Sequence, residues 1–447
     1  MYKIRDRRIG FSLQADCLVV GGGAAGVAAA ITAARDGCSV ILLERYGFCG
    51  GGAVAGLSGT LCGLYTASDD NRRPPEQVVH GFVDEFITIM DARNGLTGPV
   101  RYGKTFTRVH DPLVWRETAD QMLTSEPNIR VIYHSVVTDV LMDGNERVAG
   151  VLAYTKQGRL QVEAKITIDA SGDADIAAMA GLPTTQGDNG RVQNPTMIFR
   201  LQNVDIPQFL AEYGPDSILG PDVSAQISAE NSSRRYNLPR SKVFLFPTPR
   251  PGELICNATR LIGRDGHELN PLNAADLTEA EMLGRIQVRE YARFFRDHLR
   301  GCGASFVNDT GVQVGIRQSR QIQGVAQLTN ASVRSGAKTP TGIARSPWPI
   351  ELHSGDRPQL HWLLEDNYEV AYECFVPKRG EGLLAAGRCL SAEHEAMASA
   401  RVTAQCFSYG HAIGHAAAIS ALDGVAPREI DGRAIRDRLN RDGAQLD

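Results

Sequence analysis

The sequence contains no Cys-x-x-Cys pair: its nine cysteines stand singly along 447 residues. That absence excludes an iron–sulfur cluster, a zinc knuckle and a disulfide framework, and it points to reduced thiols in a cytoplasm. An excess of basic charge is missing too. Lysine and arginine total 47 against 51 aspartates and glutamates, a net charge of −4, which leaves no basic field for nucleic acid and no polybasic membrane anchor. A long unbroken apolar run is also lacking. The uncharged stretch Cys17 to Ala34 follows Lys3, Arg5, Arg7 and Arg8 in the manner of a signal peptide. However, Asp16 stands at its front and Gly21, Gly22 and Gly23 interrupt it, which makes a poor membrane helix. What is present fits a folded chain of two or three domains: 43% apolar and 22% charged residues. Glycine is plentiful, 46 residues without a collagen-like period, as in a backbone that often turns sharply or approaches a ligand.

The run from Cys17 has a better explanation. Cys17 to Val20 reads as a buried strand, Gly21-x-Gly23-x-x-Gly26 opens an alanine-rich helix through Ala24 and Ala25, and Gly37 ends it. Ser39 to Leu43 is a second buried strand, followed by Glu44 and Arg45. Strand, glycine turn, helix, strand and acid in this order form a dinucleotide fingerprint. Gly21 permits the tight turn, Gly23 lets the backbone touch a pyrophosphate, and Gly26 lets helix and strand pack closely. The helix N-terminus faces the phosphate charge, and Glu44 stands where a carboxylate accepts bonds from ribose hydroxyls.

Two further segments choose between FAD and NAD. Lys165 to Asp169 is a strand leading into Ala170-Ser171-Gly172-Asp173 and a helix, which resembles the segment flavoproteins place beside the FAD dinucleotide. Gly382-Leu-Leu-Ala-Ala-Gly387-Arg388 resembles the flavoprotein strand whose end passes the ribityl chain and pyrophosphate. Thr403 to Ala421 then forms a helix in which Gly410 and Gly414 are spaced for close packing. Segments of this kind at the N-terminus, centre and C-terminus describe an FAD domain interrupted by insertions.

Taken with Glu44 through Gly52, Asp111-Pro112, Gly315 to Arg320 and Trp348-Pro-Ile-Glu-Leu-His353, the chain resembles the FAD-dependent oxidoreductases related to the flavin portion of heterodisulfide reductase A, among the glutathione-reductase-like flavoproteins. The resemblance implies non-covalent FAD and redox chemistry on a small molecule. Gln318 stands where glutamate is expected, and His411 and His415 where small or amide residues are usual.

The expected fold is α/β: a discontinuous Rossmann-like FAD-binding domain with a parallel sheet, plus an inserted mixed-sheet substrate domain. Its parts are residues 1–190, the substrate domain 191–375, the returning FAD segment 376–425, and a surface helix within 426–447. Val131 to Val137, Val148 to Thr155 and Gln161 to Ile168 read as an antiparallel crossover with turns at Asp143-Gly144-Asn145 and Gln157-Gly158. The backbone near Val136 and Val137 is a candidate adenine contact. Thr278 with Glu281 reads as a capping box opening a helix to Leu299, and Ile430 to Leu446 as the surface helix.

Around the cofactor, Gly50, Gly51 and Gly52 bring the chain back toward the phosphates after Glu44. His394, after the Gly387-Arg388 strand, is the candidate proton acceptor. Arg401 with Val402 and Thr403 at a helix start is placed to stabilise negative charge on the reduced flavin. Arg320 with Arg317 is a candidate clamp for a substrate carboxylate or a contact to the cofactor. His411 and His415 share a helix face, yet Ala412 stands where a zinc-protease pattern needs glutamate, so no metal is expected. Cys49 and Cys62 are too far apart for a redox pair of flavin disulfide reductases, and no second dinucleotide fingerprint serves a nicotinamide. An electron-transfer subunit of a larger complex is the alternative reading. Oligomeric state is left open.

Overall fold

Apolar runs ending at Val20, Leu43 and Asp169 are buried at every position, as parallel strands covered on both faces must be. In the computed structural model, which describes residues 9–144, 146–353 and 359–447, they lie in one mixed sheet. Lys3, Arg5, Arg7, Arg8 and Asn145 lie outside the described residues. The strand order is Ile129–Ile132, Val40–Leu43, Phe11–Val20, Gly158–Asp169, Arg147–Thr155, Val136–Asp143. The first four pair in parallel, and the last two join them antiparallel.

The expected parallel sheet is therefore parallel on one side only, and the strand Gly158–Asp169 explains why. Its first residues pair antiparallel with Gly150 to Thr155, while Thr167 to Asp169 pair in parallel with the returning strand Leu383–Ala385. The N-terminal strand starts at Phe11 rather than Cys17, because Phe11 to Ala15 alternate in exposure and pair only with Gly158–Asp169. Val131 to Val137 is not one strand: it splits into the end of Ile129–Ile132 and the start of Val136–Asp143.

The fingerprint helix Ala24–Arg35 packs on the C-terminal helix Thr403–Asp423 at a separation only glycine allows. A Cβ on Gly410 would stand 2.1 Å from the Ala25 carbonyl oxygen, and one on Gly414 2.8 Å from that of Ala29. The expected close packing is found.

A second sheet, wholly antiparallel, runs Phe244–Pro247, Leu254–Asn257, Phe199–Gln202, Phe306–Thr310. The helix Ala274–His298 backs it, burying Tyr291, Phe294 and Phe295 in a core with Phe199 and Leu201. The helix starts before the expected Thr278. Asn273 is the cap, accepting from the Ala275 and Asp276 amides at 2.8 and 3.3 Å, while Thr278 donates back to the Ala274 carbonyl. The last helix, Gly432–Arg441, is shorter than expected and docked: Asp431 caps it, Ile435 and Leu439 are buried, and Arg436 pairs with Glu369.

Candidate functional site

Val20, Leu43, Ala170 and Ala386 end or follow parallel strands, and all four line one cavity of about 320 Å³. Open α/β sheets hold their ligands at this edge, where helix N-termini and strand C-termini meet. Gly21, Gly23, Ala24 and Ala25 form part of its wall. Gly26 does not. A Cβ there would stand 1.8 Å from the Gly21 carbonyl oxygen, so its role is the tight strand-to-helix packing. The helix cap Gly23 carries no side-chain bond to the first amides, which leaves their N–H groups open to an anion. Gly50, Gly51 and Gly52 press onto this turn: the Gly50 amide donates to the Gly22 carbonyl at 2.8 Å, and a Cβ on Gly51 would meet the Gly23 Cα at 2.9 Å.

Glu44 closes the far end of the cavity. Its carboxylate accepts from the amides of Gly22 (2.7 Å) and Tyr46 (2.8 Å). Burial pushes the carboxyl up from its ordinary value while these two donors oppose it. A carboxylate has about four lone-pair sites, so capacity remains for ribose hydroxyls. Arg45 lines the wall and donates to the Gln313 amide at 2.7 Å. Val137, Ser171 and Gly172 complete this side. On the other side stand Gly387, Arg388, Arg401, Val402 and Thr403. Asp173 lies behind Arg388, its carboxylate 3.4 Å from Nη2, so it holds an arginine rather than forming the wall. The helix Thr403–Asp423 has no side-chain cap, and its start opens on the cavity beside Arg401.

The inner end holds a buried polar group. The Tyr102 hydroxyl donates to Glu351 Oε1 at 2.8 Å, and His353 Nε2 lies 3.2 Å from the same oxygen. Burial and the Arg317 guanidinium pull the His353 imidazole well below its ordinary value, against the pull of Glu351. Although burial opposes it, the hydrogen bonds from His353 and Tyr102 and the Arg401 guanidinium hold the Glu351 carboxyl well below its range. At neutral pH Glu351 is charged and His353 neutral. A neutral imidazole that donates through Nε2–H keeps Nδ1 as a proton acceptor. Arg317, Arg401 and Trp348 line the same end, with Phe246 and Asn257 contributed by the second sheet.

Two expected catalytic side chains are not brought to this wall. His394 opens the short helix His394–Ala400 outside the cavity, with Nδ1 buried and unpartnered among the described residues. Arg320 turns away to Asp175, with Nη2 at 2.5 Å from the carboxylate, and donates to the Asp173 carbonyl. Glu351 and His353 line the cavity where those two do not. Their segment already bore the family resemblance, and two polar residues alternating in an otherwise apolar stretch were the available signal. Tyr102 gave none, because nothing local distinguishes it.

His411 and His415 lie away from the cavity, and the fold adds a neighbour that helical spacing does not show. Asp442 Oδ2 is 3.0 Å from His411 Nε2 and 2.9 Å from His415 Nε2, while His415 Nδ1 meets Asp36 at 2.7 Å. The three side chains come within ligand distance of one another.

The profile of a family described as FAD dependent oxidoreductase matches residues 16–439. The chain belongs to that family. FAD is accordingly its cofactor, and the glycine turn, the open helix starts and Glu44 fit its phosphates and ribose. Solved structures of similar fold include a geranylgeranyl bacteriochlorophyll reductase-like protein from Thermoplasma acidophilum, 14% identical with a TM-score of 0.48, over 96% of this chain and 83% of that one. The flavin-dependent brominase Bmp2 is 15% identical, TM-score 0.49, over 96% and 84%. The p-nitrophenol 4-monooxygenase PnpA from Pseudomonas putida is 10% identical, TM-score 0.49, over 97% and 87%. At such identities the likeness concerns the fold alone.

Glu44→Gln keeps an acceptor for only one of the two backbone amides, which donate to different oxygens, and removes the charge that a ribose hydroxyl would meet. It should weaken FAD binding roughly 10- to 100-fold, the worth of charge-assisted hydrogen bonds. Equilibrium dialysis against FAD measures this, and unchanged retention would remove Glu44 from the ribose site.

Proposed function

We propose that this FAD dependent oxidoreductase oxidises a small organic molecule, with His353 taking the substrate's proton. The observation that carries the reading is the single cavity joining the dinucleotide cradle to the buried Tyr102–Glu351–His353 group. FAD, when bound, would supply the two-electron chemistry as the hydride acceptor. The chain's own groups do the rest. His353 would receive the proton of a substrate O–H or N–H as the adjacent C–H bond gives up its hydride, and Glu351 would steady the imidazolium that forms. Tyr102 holds the carboxylate in place from its other side. Arg401 and the open start of the helix Thr403–Asp423 place positive potential beside the cofactor. The aromatic walls keep water out, which strengthens each of these interactions.

Within the family we place the chain near the flavin portion of heterodisulfide reductase A, on the motifs from Glu44 to Gly52, Asp169 to Asp173 and Trp348 to His353. The acceptor that returns FAD to its oxidised state is then oxygen, a quinone or another protein. Among the described residues no helix is long and apolar enough to cross a membrane, which suits the cytoplasmic setting we propose. Anaerobic screening of small organic compounds against the yellow protein tests the reading. The expected result is that one class bleaches the flavin absorbance. If a chemical reductant bleaches it and no organic compound does, the electron-transfer alternative replaces this one.

FAD should be held non-covalently. The thiols lining the cavity, Cys62 and Cys406, are each pushed up to about 12 by burial, so neither offers a thiolate to the flavin methyl group. Cys49 is buried beneath Gly22, outside the wall. Acid precipitation should release all the yellow colour into the supernatant; a yellow pellet would contradict this.

A further inference from the structure

We infer that the inner end of the cavity binds the carboxylate of an organic acid, with Arg317 as its principal counter-ion; the inference rests on the flavin-site reading above and names its substrate class. Arg317 and Arg401 line this end, and Arg240 stands behind it on the lining residue Asn257. Arg317 is 7% exposed and Arg240 3%, and Arg401 shares their electrostatic neighbourhood. Burial pulls all three down from their ordinary values, yet a guanidinium keeps its charge inside a protein. Among the described residues none of the three forms an ion pair. Arg317 donates Nη1–H to the Asn194 carbonyl at 2.7 Å, and Arg401 reaches Gln193 at 3.4 Å with its Nε buried and unpartnered. Arg240 donates to the Lys242 carbonyl and to Asn257 and lies 4.5 Å over the Phe244 ring, and its Nη2 has no hydrogen-bond partner among the described residues. The one carboxylate nearby, Glu351, is already engaged by Tyr102 and His353. Positive charge thus exceeds negative charge in a place shielded from water, where an uncompensated ion is strongly unfavourable. A bound anion supplies the compensation.

The rest of the wall narrows the anion to a carboxylate on an apolar body. Asn257 accepts from Arg240 through Oδ1, at 2.8 Å, which leaves its amide N–H groups as donors where it lines the cavity. Trp348 is 1% exposed, lines the same end, and its indole N–H has no partner among the described residues. Tyr102 stacks on Phe246 with centroids 5.9 Å apart and lies 5.1 Å from the Trp348 ring, giving a flat aromatic box beside the cations. A planar guanidinium engages both oxygens of a carboxylate at once. The phosphates of FAD have separate donors at the glycine turn, so they do not account for Arg317.

The test uses FAD-loaded protein. Benzoate, hexanoate and succinate are titrated against benzamide, hexanamide and succinamide, following the perturbed flavin spectrum and, in parallel, binding heat. At least one acid should bind about 30-fold tighter than its own amide, and that ratio should collapse in Arg317→Gln and recover in part in Arg317→Lys, with FAD affinity unchanged in both. If no acid binds better than its amide to yellow wild-type protein, the inference is overturned and the arginines serve the flavin alone. If Arg317→Gln loses FAD along with the acid, Arg317 belongs to the cofactor and the inference is equally overturned. Where Arg317→Gln fails to fold, the wild-type acid-to-amide ratio and Arg317→Lys decide. A wild-type protein that takes up no FAD would instead bring down the flavin-site reading beneath it.

Discussion

Replacing His353 by alanine should slow reduction of the bound flavin by substrate about 10²–10⁴-fold while leaving FAD in place, the usual worth of a positioned general base. His353 lines the cavity on the wall shared with Arg317 and Trp348, away from the glycine turn and Glu44, so losing it should not loosen the cofactor. Its bond to Glu351 at 3.2 Å fixes which nitrogen carries the hydrogen, and the carboxylate is ready for the charge that a captured proton brings. Glu351→Gln should therefore slow the same step, since it removes both the orientation and the compensating charge.

The pH dependence separates this role from a structural one. The base form of His353 is the working form, so the rate falls as pH drops through the imidazole's own value. Burial and Arg317 hold that value well below the ordinary 6.5. Single-turnover flavin reduction should consequently stay level from pH 8 down through about 6.5 and decline only below it. A break at the ordinary histidine value, or an unchanged rate in His353→Ala, would remove His353 from the mechanism.

The difference between His353 and His394 shows what a sequence can specify here. The dinucleotide cradle depends on local spacing: Gly21, Gly23, Gly26 and Glu44 lie on one strand–turn–helix–strand unit whose geometry follows from its own residues. That part was legible. Placing His394 at the flavin required knowing which way the chain leaves the strand Leu383–Ala385. The turn Gly387–Cys389 and the passage to Glu393, in which Ser391 and Glu393 bond Leu328, carry it away from the cavity. No local signal sets that direction. Arg320 failed differently: it found a nearer carboxylate in Asp175, brought close only when Arg320–Ile322 paired with Thr184–Gln186. Tyr102 reaches Glu351 across 249 positions of sequence, so their pairing is a product of tertiary folding. Arg401 does line the cavity, and its signal, a cation beside an apolar helix start, is local.

Arg401→Gln should make the bound FAD harder to reduce. Arg401 lines the cavity beside the uncapped start of Thr403–Asp423, and it forms no ion pair among the described residues. Burial pulls its guanidinium down from the ordinary value while Glu351 draws it up, yet it remains charged at neutral pH. A fixed positive charge beside the cofactor favours the state that carries more negative charge, which is the reduced one. A hydrogen bond to a charged group contributes about 1.5–3 kcal/mol. For a two-electron couple 30 mV corresponds to about 1.4 kcal/mol, so the midpoint potential should fall by roughly 30–65 mV. The amide of glutamine keeps a donor near the same place, which makes the change mainly one of charge. Redox titration of wild type and variant, each saturated with FAD, measures it directly. The shift should also shrink at high ionic strength far less than one from a surface arginine, because the site is shielded from salt. A midpoint potential equal to that of the wild type would show that Arg401 faces the substrate alone. Loss of FAD binding would show that it holds the cofactor rather than tuning it.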